Sequence, residues 1–153
     1  MKKTLTKEEK ELLIKDLLLR TQTDVLVKVP GEEEPKELRK RVRWMITFGR
    51  AKSVEDCLTG LTPYLRPFSD MTEEESKEFD GISSMPIGAG FDTVEKRYDF
   101  YNYIIADFGC CKEIYIEDLA KILDWFILHH FDIYGLVEKE LAIKAEKGMY
   151  EKQ

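Results

Sequence analysis

The chain is short of the residues that carry most recognisable chemistry. It has two histidines and three cysteines in 153 residues, too few for a disulfide framework or a metal-rich module. An odd number of cysteines without an export signal fits reduced thiols, and the cytoplasm is the expected compartment. Long apolar runs are missing too: a stretch such as Trp125–Leu128 stops after four residues, whereas a bilayer-crossing helix needs about 20. The basic start Met1-Lys2-Lys3 leads directly into an acidic amphipathic segment, so neither a signal peptide nor a transmembrane helix is read, and no membrane partner is expected. Glycine is sparse where phosphate loops need it. Gly88-Ala89-Gly90 has neither a strand before it nor a third glycine, which removes the dinucleotide-binding fingerprint. There is no internal repeat and no low-complexity tract.

What remains is an ordinary globular composition, 43% hydrophobic and 35% charged, in a length that buries one core without staples. One domain over residues 1–153 is expected. The net charge of -6 opposes wholesale nucleic-acid binding, yet it is unevenly spread. Between residues 36 and 52, Lys36, Arg39, Lys40, Arg41, Arg43, Arg50 and Lys52 face one acid, Glu37, a local +6 that leaves -12 elsewhere. Such segregation steers partners, and a solvated face beside acidic helices produces the same pattern.

Along the chain, Thr6-Lys7-Glu8-Glu9 has the capping-box pattern, and Leu13, Ile14, Leu17 and Leu18 continue at helical spacing. Val25, Val27 and Val29 alternate before Pro30-Gly31, which reads as a strand and a type II turn. Arg41 to Phe48 also alternates, with Val42, Trp44, Ile46 and Phe48 on one side and Arg41, Arg43, Met45 and Thr47 on the other. That predicts a strand with a buried face holding Trp44 and a basic face. Ser53 to Leu58 fits a strand or a short Ser53-capped helix. A small antiparallel sheet or partial barrel over 24–58 follows, since neighbouring strands usually pair.

The second half reads as mainly helical over 71–137, with a C-terminal segment over 138–153. Leu61 to Asp70, holding Pro63 and Pro67, is extended; Thr72-Glu73-Glu74-Glu75 opens an acidic helix ending near Asp80-Gly81. Gly81 to Gly90 is a loop. Over 92–108 the pattern supports a helix on Val94, Tyr98, Tyr101 and Ile105, while the aromatic and β-branched content of 100–105 also fits a strand. Leu119, Ile122, Leu123 and Phe126 mark a helix from about residue 116 to 130 with Trp125 in the core, and Asp132 is placed to cap a turn through Gly135. The fold class is therefore α+β.

Three segments carry a likeness to known proteins. They are Pro63-Tyr64-Leu65-Arg66-Pro67-Phe68-Ser69-Asp70-Met71-Thr72-Glu73-Glu74-Glu75, then Asp124-Trp125-Phe126 with Phe131-Asp132-Ile133-Tyr134-Gly135-Leu136-Val137, and last Gly148-Met149-Tyr150. Their order and spacing resemble a family of small uncharacterised proteins of gut anaerobic bacteria, often carried on prophages or other mobile elements. Asp70 stands where that pattern has serine, Tyr134 where it has arginine, and Ala145-Glu146-Lys147 where it has Ala-Pro-Glu. The resemblance implies a shared fold, a small N-terminal sheet followed by helices, and a mobile-element setting; it implies no activity and no catalytic residue.

The sharpest candidates for chemistry are Cys110-Cys111 and His129-His130, since thiolates and imidazoles ligate zinc. Their spacing is poor: neighbours in a helix point about 100° apart, and structural sites favour two to four intervening residues. A cysteine–histidine hydrolase built from Cys110 or Cys111 with His129 or His130, oriented by Asp132, lacks a nucleophile motif and an evident oxyanion hole. Cys57 has no suggestive neighbour. The carboxylate runs Glu73-Glu74-Glu75 and Glu117-Asp118 sit at helix starts, where negative charge complements the helix dipole. No cofactor is expected. By elimination the expectation is a non-catalytic interaction protein, with Arg39, Arg41, Arg43, Arg50 and Lys52 as the contact surface for another protein. Single-stranded nucleic acid is the alternative ligand of that face, and a thiol- or metal-dependent enzyme the third reading. Against nucleic acid stands Trp44, placed by alternation on the opposite face from Arg41 and Arg43.

Overall fold

Val25, Val27 and Val29 are buried while Lys28 is exposed, and this alternation defines β1 (Leu26–Lys28). The computed structural model describes residues 3–82 and 112–151; the expectations for 83–111, including the 92–108 segment and Cys110-Cys111, lie outside the described residues. After β1 the chain reverses at Pro30-Gly31. Gly31 has φ +82°, and Glu32 N–H donates to the Val29 carbonyl at 3.1 Å, the geometry of a type II turn with glycine supplying the positive φ. β2 (Lys36–Glu37) then pairs antiparallel with β1.

Two compact units emerge from the contacts, one formed by residues 1–67 with 130–153 and the other by 68–129. The first holds α1 (Lys7–Leu19), α2 (Leu38–Thr47), α3 (Val54–Leu58), β3 (Thr62–Leu65) and β4 (Ile143–Lys144) besides the first two strands. Its sheet runs β2-β1-β3-β4, antiparallel except for the β3–β4 pair, which is parallel. The sheet is thus mixed, and it does not close into a barrel. Leu13 and Leu17 of α1, Val25 and Val27, Leu38 and Val42 of α2, Cys57 and Leu58 of α3, Leu65, Leu136 and Leu141 form one buried cluster.

The second half of the 24–58 region is helical, which corrects the strand expected over 41–48. Alternation from Val42 to Phe48 satisfies period two, but the buried set is Leu38 and Val42 with Met45 partly buried, spaced four and three residues apart as a helix requires. Leu38 lies just before the alternating window, so the window hid the first turn. The backbone decides the matter as well. Strands of two to four residues offer an eight-residue strand no partner for most of its N–H and C=O groups, whereas a helix satisfies them locally. α2 ends in a Schellman motif: Arg50 N–H donates to Met45 O at 2.7 Å and Gly49 N–H to Ile46 O at 3.2 Å, with Gly49 at φ +63°. Glycine is the residue that takes this left-handed cap without strain.

The second unit contains a short 3-10 turn (Phe68–Asp70), α4 (Glu73–Ile82) and α5 (Lys112–Leu128). Thr72 opens α4 with a capping box, its hydroxyl accepting from Glu75 N–H at 3.2 Å and Glu75 returning a bond to Thr72 N–H at 2.9 Å. Phe79 from α4 stacks on Phe126 at 5.6 Å and meets Trp125 at 5.7 Å, so that a ring cluster joins the two helices. No helix among the described residues is long and apolar enough to cross a membrane.

Candidate interaction surface

Because residues 38–47 form a helix, the basic residues do not share a flat strand face. Leu38, Val42 and Met45 face the core, and Arg39, Lys40 and Arg43 project outward, exposed to solvent. Arg41 lies at the flank, partly buried and 3.8 Å from Glu32. Trp44 is the larger change. Expected in the core, it is 50% exposed, with Ile46 at 46% and Phe48 at 66%; Trp44 and Phe48, one turn apart, form an aromatic crown at the end of α2, while Ile46 stands about 200° round the helix from Trp44. The Trp44 and Phe48 rings are 5.8 Å between centroids, and the Arg50 guanidinium comes back over the Trp44 ring at 6.0 Å. The Schellman turn at Gly49 is what returns Arg50 to that position.

The charges of this region are partly neutralised at home. Lys36 and Arg41 lie within 4 Å of Glu32, and Arg39 and Lys40 lie 3.2 and 3.1 Å from Glu37. Arg43, Arg50 and Lys52 make no ion pair among the described residues, and all three are exposed. Of these three, Arg50 is the one that lies against the exposed aromatic pair, over the Trp44 ring.

The histidines are not brought together. His129, after α5, has Nδ1 3.4 Å from Glu75 Oε1 and its ring 4.3 Å from that of Trp125. His130 belongs to the other unit, buried, with φ +65° and Nε2 3.1 Å from Asp24 Oδ1. Among the described residues no group of three or more His, Cys, Asp or Glu side chains is arranged to hold a metal ion. Cys57 is buried, and burial pushes its thiol pKa up, away from the thiolate that a nucleophile requires.

Other polar groups were invisible in the sequence. Asp16 and Arg20 are fully buried, paired at 2.8 and 3.0 Å, and Arg20 Nη2 also donates to the Phe131 carbonyl at 2.6 Å. Their i, i+4 spacing announces an ion pair on a helix, but nothing announces its burial. Asp132 accepts from Leu136 and Val137 N–H at 2.8 and 2.9 Å, closing the turn that contains Gly135. Thr6 and Glu9 close the capping box of α1; its bond from Thr6 N–H, with Lys3 nearby, holds the Glu9 carboxyl below its usual range. Tyr150 hydroxyl donates to Tyr64 O and accepts from Leu26 N–H, its ring lies on His130, and burial pushes its pKa up. With both lone-pair and proton engaged, that phenol is a fastening group and not an acid or nucleophile at neutral pH. Comparison with protein-family models, curated proteins and solved structures gave no match.

Proposed function

We propose that the protein is a non-catalytic cytoplasmic interaction protein of a mobile-element-linked family, and that the outer end of α2 docks an acidic, partly apolar segment of another protein. The observation that carries this reading is the exposed Trp44–Phe48 pair with Arg50 over the indole. Tryptophan and arginine are the residue types that dominate binding energy at protein interfaces, and an exposed aromatic pair with a guanidinium beside it selects a partner that sets a carboxylate next to an apolar centre. Trp44 is flanked before any partner arrives, which reduces the side-chain entropy lost on binding. The test is a photo-crosslinking phenylalanine at position 48 of the full chain, used in the native cell. A discrete adduct with a protein bearing an acidic segment, lost when Arg43 and Arg50 are changed to glutamate in a chain with unchanged circular dichroism, is expected. Absence of a discrete adduct, or one indifferent to charge reversal, overturns the reading.

Single-stranded nucleic acid is the second reading, and the exposure of Trp44 favours it, since the ring no longer lies on the face opposite the cations. Glu32 and Glu37, however, engage four of the seven cations between residues 36 and 52, which weakens the field that a phosphate backbone needs. A gel-shift series with an oligothymidylate across salt separates the two: tight binding that falls steeply with salt belongs to nucleic acid.

A further inference from the structure

The antiparallel register of β1 and β3 sets Val27 against Pro63 and Lys28 against Thr62, so continuing it by one step sets Leu26 against Tyr64. Adjacent rungs of such a ladder alternate between bonded and non-bonded pairs, and Pro63, lacking an N–H, suits a non-bonded rung. Leu26–Tyr64 is then the rung at which Leu26 N–H should reach Tyr64 O directly. It does not. The Tyr150 hydroxyl stands between them, accepting from Leu26 N–H at 2.9 Å and donating to Tyr64 O at 2.7 Å. One side-chain oxygen thus takes the place of one of the two bonds of that rung, the one from Leu26 N–H to Tyr64 O.

The ring of Tyr150 is held as specifically as its hydroxyl. It stacks on the imidazole of His130 at 3.9 Å with planes 29° apart. That imidazole is fixed by burial and by Asp24, 3.1 Å from Nε2. His130 has φ +65°, a backbone state that non-glycine residues adopt at a cost of order 1 kcal/mol and keep only where surroundings hold them. By contrast the backbone around Tyr150 is loosely tied. Ala145 N–H still donates to Leu65 O, but beyond it the described backbone bonds, Met149 N–H to Glu146 O and Glu151 N–H to Gly148 O, are local to the segment. The side chain of Tyr150 is what attaches residues 146–151 to the sheet.

We propose that His130, Leu26 N–H and Tyr64 O form a binding notch for a phenolic side chain, which the protein fills with its own Tyr150, making residues 148–150 a detachable latch across β1 and β3. The imidazole plane supplies a stacking surface and the splayed rung supplies one donor and one acceptor spaced for a single hydroxyl. Together they select a phenol over a plain aromatic ring. This notch is separate from the α2 surface and does not depend on it.

The test uses the full chain with Tyr150→Ala and two probes, p-cresol and toluene. The Tyr150→Ala chain is expected to bind p-cresol saturably, with shifts at the Leu26 amide and the His130 ring, and at least about tenfold more tightly than toluene, because an unmade hydrogen-bond pair costs about that factor. The unaltered chain, its notch filled, should show no such shifts. Equal binding of the two probes, no saturable binding, or the same p-cresol shifts in the unaltered chain would overturn the proposal. Should Tyr150→Ala fail to fold, Tyr150→Phe keeps the ring and removes only the bridge. Its Leu26 amide should then exchange with deuterium at least about tenfold faster, while Val27 and Lys28 change less; unchanged Leu26 exchange refutes the bridging rung.

Discussion

Replacing Arg20 by methionine tests the buried ion pair. Both side chains are wholly excluded from solvent, the guanidinium contacts Asp16 through two bonds of 2.8 and 3.0 Å, and a third bond of 2.6 Å ties it to the Phe131 carbonyl, 111 residues away in sequence. Arg20 therefore fastens α1 to the segment that follows His130 within one compact unit. Methionine keeps the packing of the stem but leaves a carboxylate without its counter-ion and takes the Arg20 donor from the Phe131 carbonyl. Breaking a buried pair from one side costs about 3–5 kcal/mol, and attraction between unit charges at close range with an effective dielectric near 20 is about 4 kcal/mol. With a urea slope of about 2 kcal/mol/M, a loss of about 4 kcal/mol lowers the unfolding midpoint by about 2 M. Removing both charges together, as Asp16→Leu with Arg20→Met, should cost less than half the sum of the single changes, because apolar replacements avoid the desolvation of either ion.

The pH dependence adds an independent check. Burial pushes the Asp16 carboxyl above its ordinary value, against the pull of Arg20. A raised value in the folded state means that the native protein binds the proton more readily than the unfolded chain. Its contribution to stability is then present below the ordinary carboxylate pKa of about 4 and lost as pH rises through the folded value. Without Arg20 the carboxyl rises further, so the penalty of Arg20→Met should shrink as pH is lowered towards about 4. Urea unfolding followed by circular dichroism between acid and neutral pH measures both effects. A penalty below about 1 kcal/mol, additive single changes, or a penalty that grows towards acid would refute the buried pair.

Three further outcomes follow from the geometry. Leu38→Ala should destabilise by about 2–5 kcal/mol, whereas Trp44→Ala should stay within about 0.5 kcal/mol; equal costs in urea unfolding would return Trp44 to the core and α2 to a strand. Asp132→Ala, which strips the acceptor from two backbone N–H groups, should cost about 1–3 kcal/mol, with Asn recovering part of it, read by the same assay. Cys57, in a chain carrying Cys110→Ser and Cys111→Ser, should react slowly with a disulfide reagent and accelerate with urea; rapid labelling without urea would contradict its burial.

The sequence was legible where a local signal and the tertiary outcome agree. Thr6, Thr72 and Asp132 announce their bonds through residue type and spacing, and each makes them. Val25, Val27 and Val29 alternate because one side of β1 faces a core. The failure at 41–48 has a definite cause: Val42, Trp44, Ile46 and Phe48 satisfy a two-residue period while Leu38, Val42 and Met45 satisfy a helical one, and periodicity alone does not weigh them. What does is the supply of backbone partners, a property of the whole sheet. The same limit hid the polar core. Leu18 and Leu19 are exposed, while Asp16 on the same helix and Arg20 at its C-cap are buried; an apolar count therefore assigns part of the inner face of α1 to the wrong residues. Arg20 is tolerated inside because Phe131, from the far end of the chain, supplies a carbonyl there, and no local window contains both. Tyr150 follows the same logic, since its value rests on a gap between Leu26 and Tyr64 that appears only once the strands are in register. For the candidate surface the consequence runs the other way. Burying Leu38 and Val42 turns Trp44 and Phe48 outward, so the core packing of α2 creates the aromatic crown. Exposure of that crown, not the +6 charge of residues 36–52, is what distinguishes this face from a solvated basic helix.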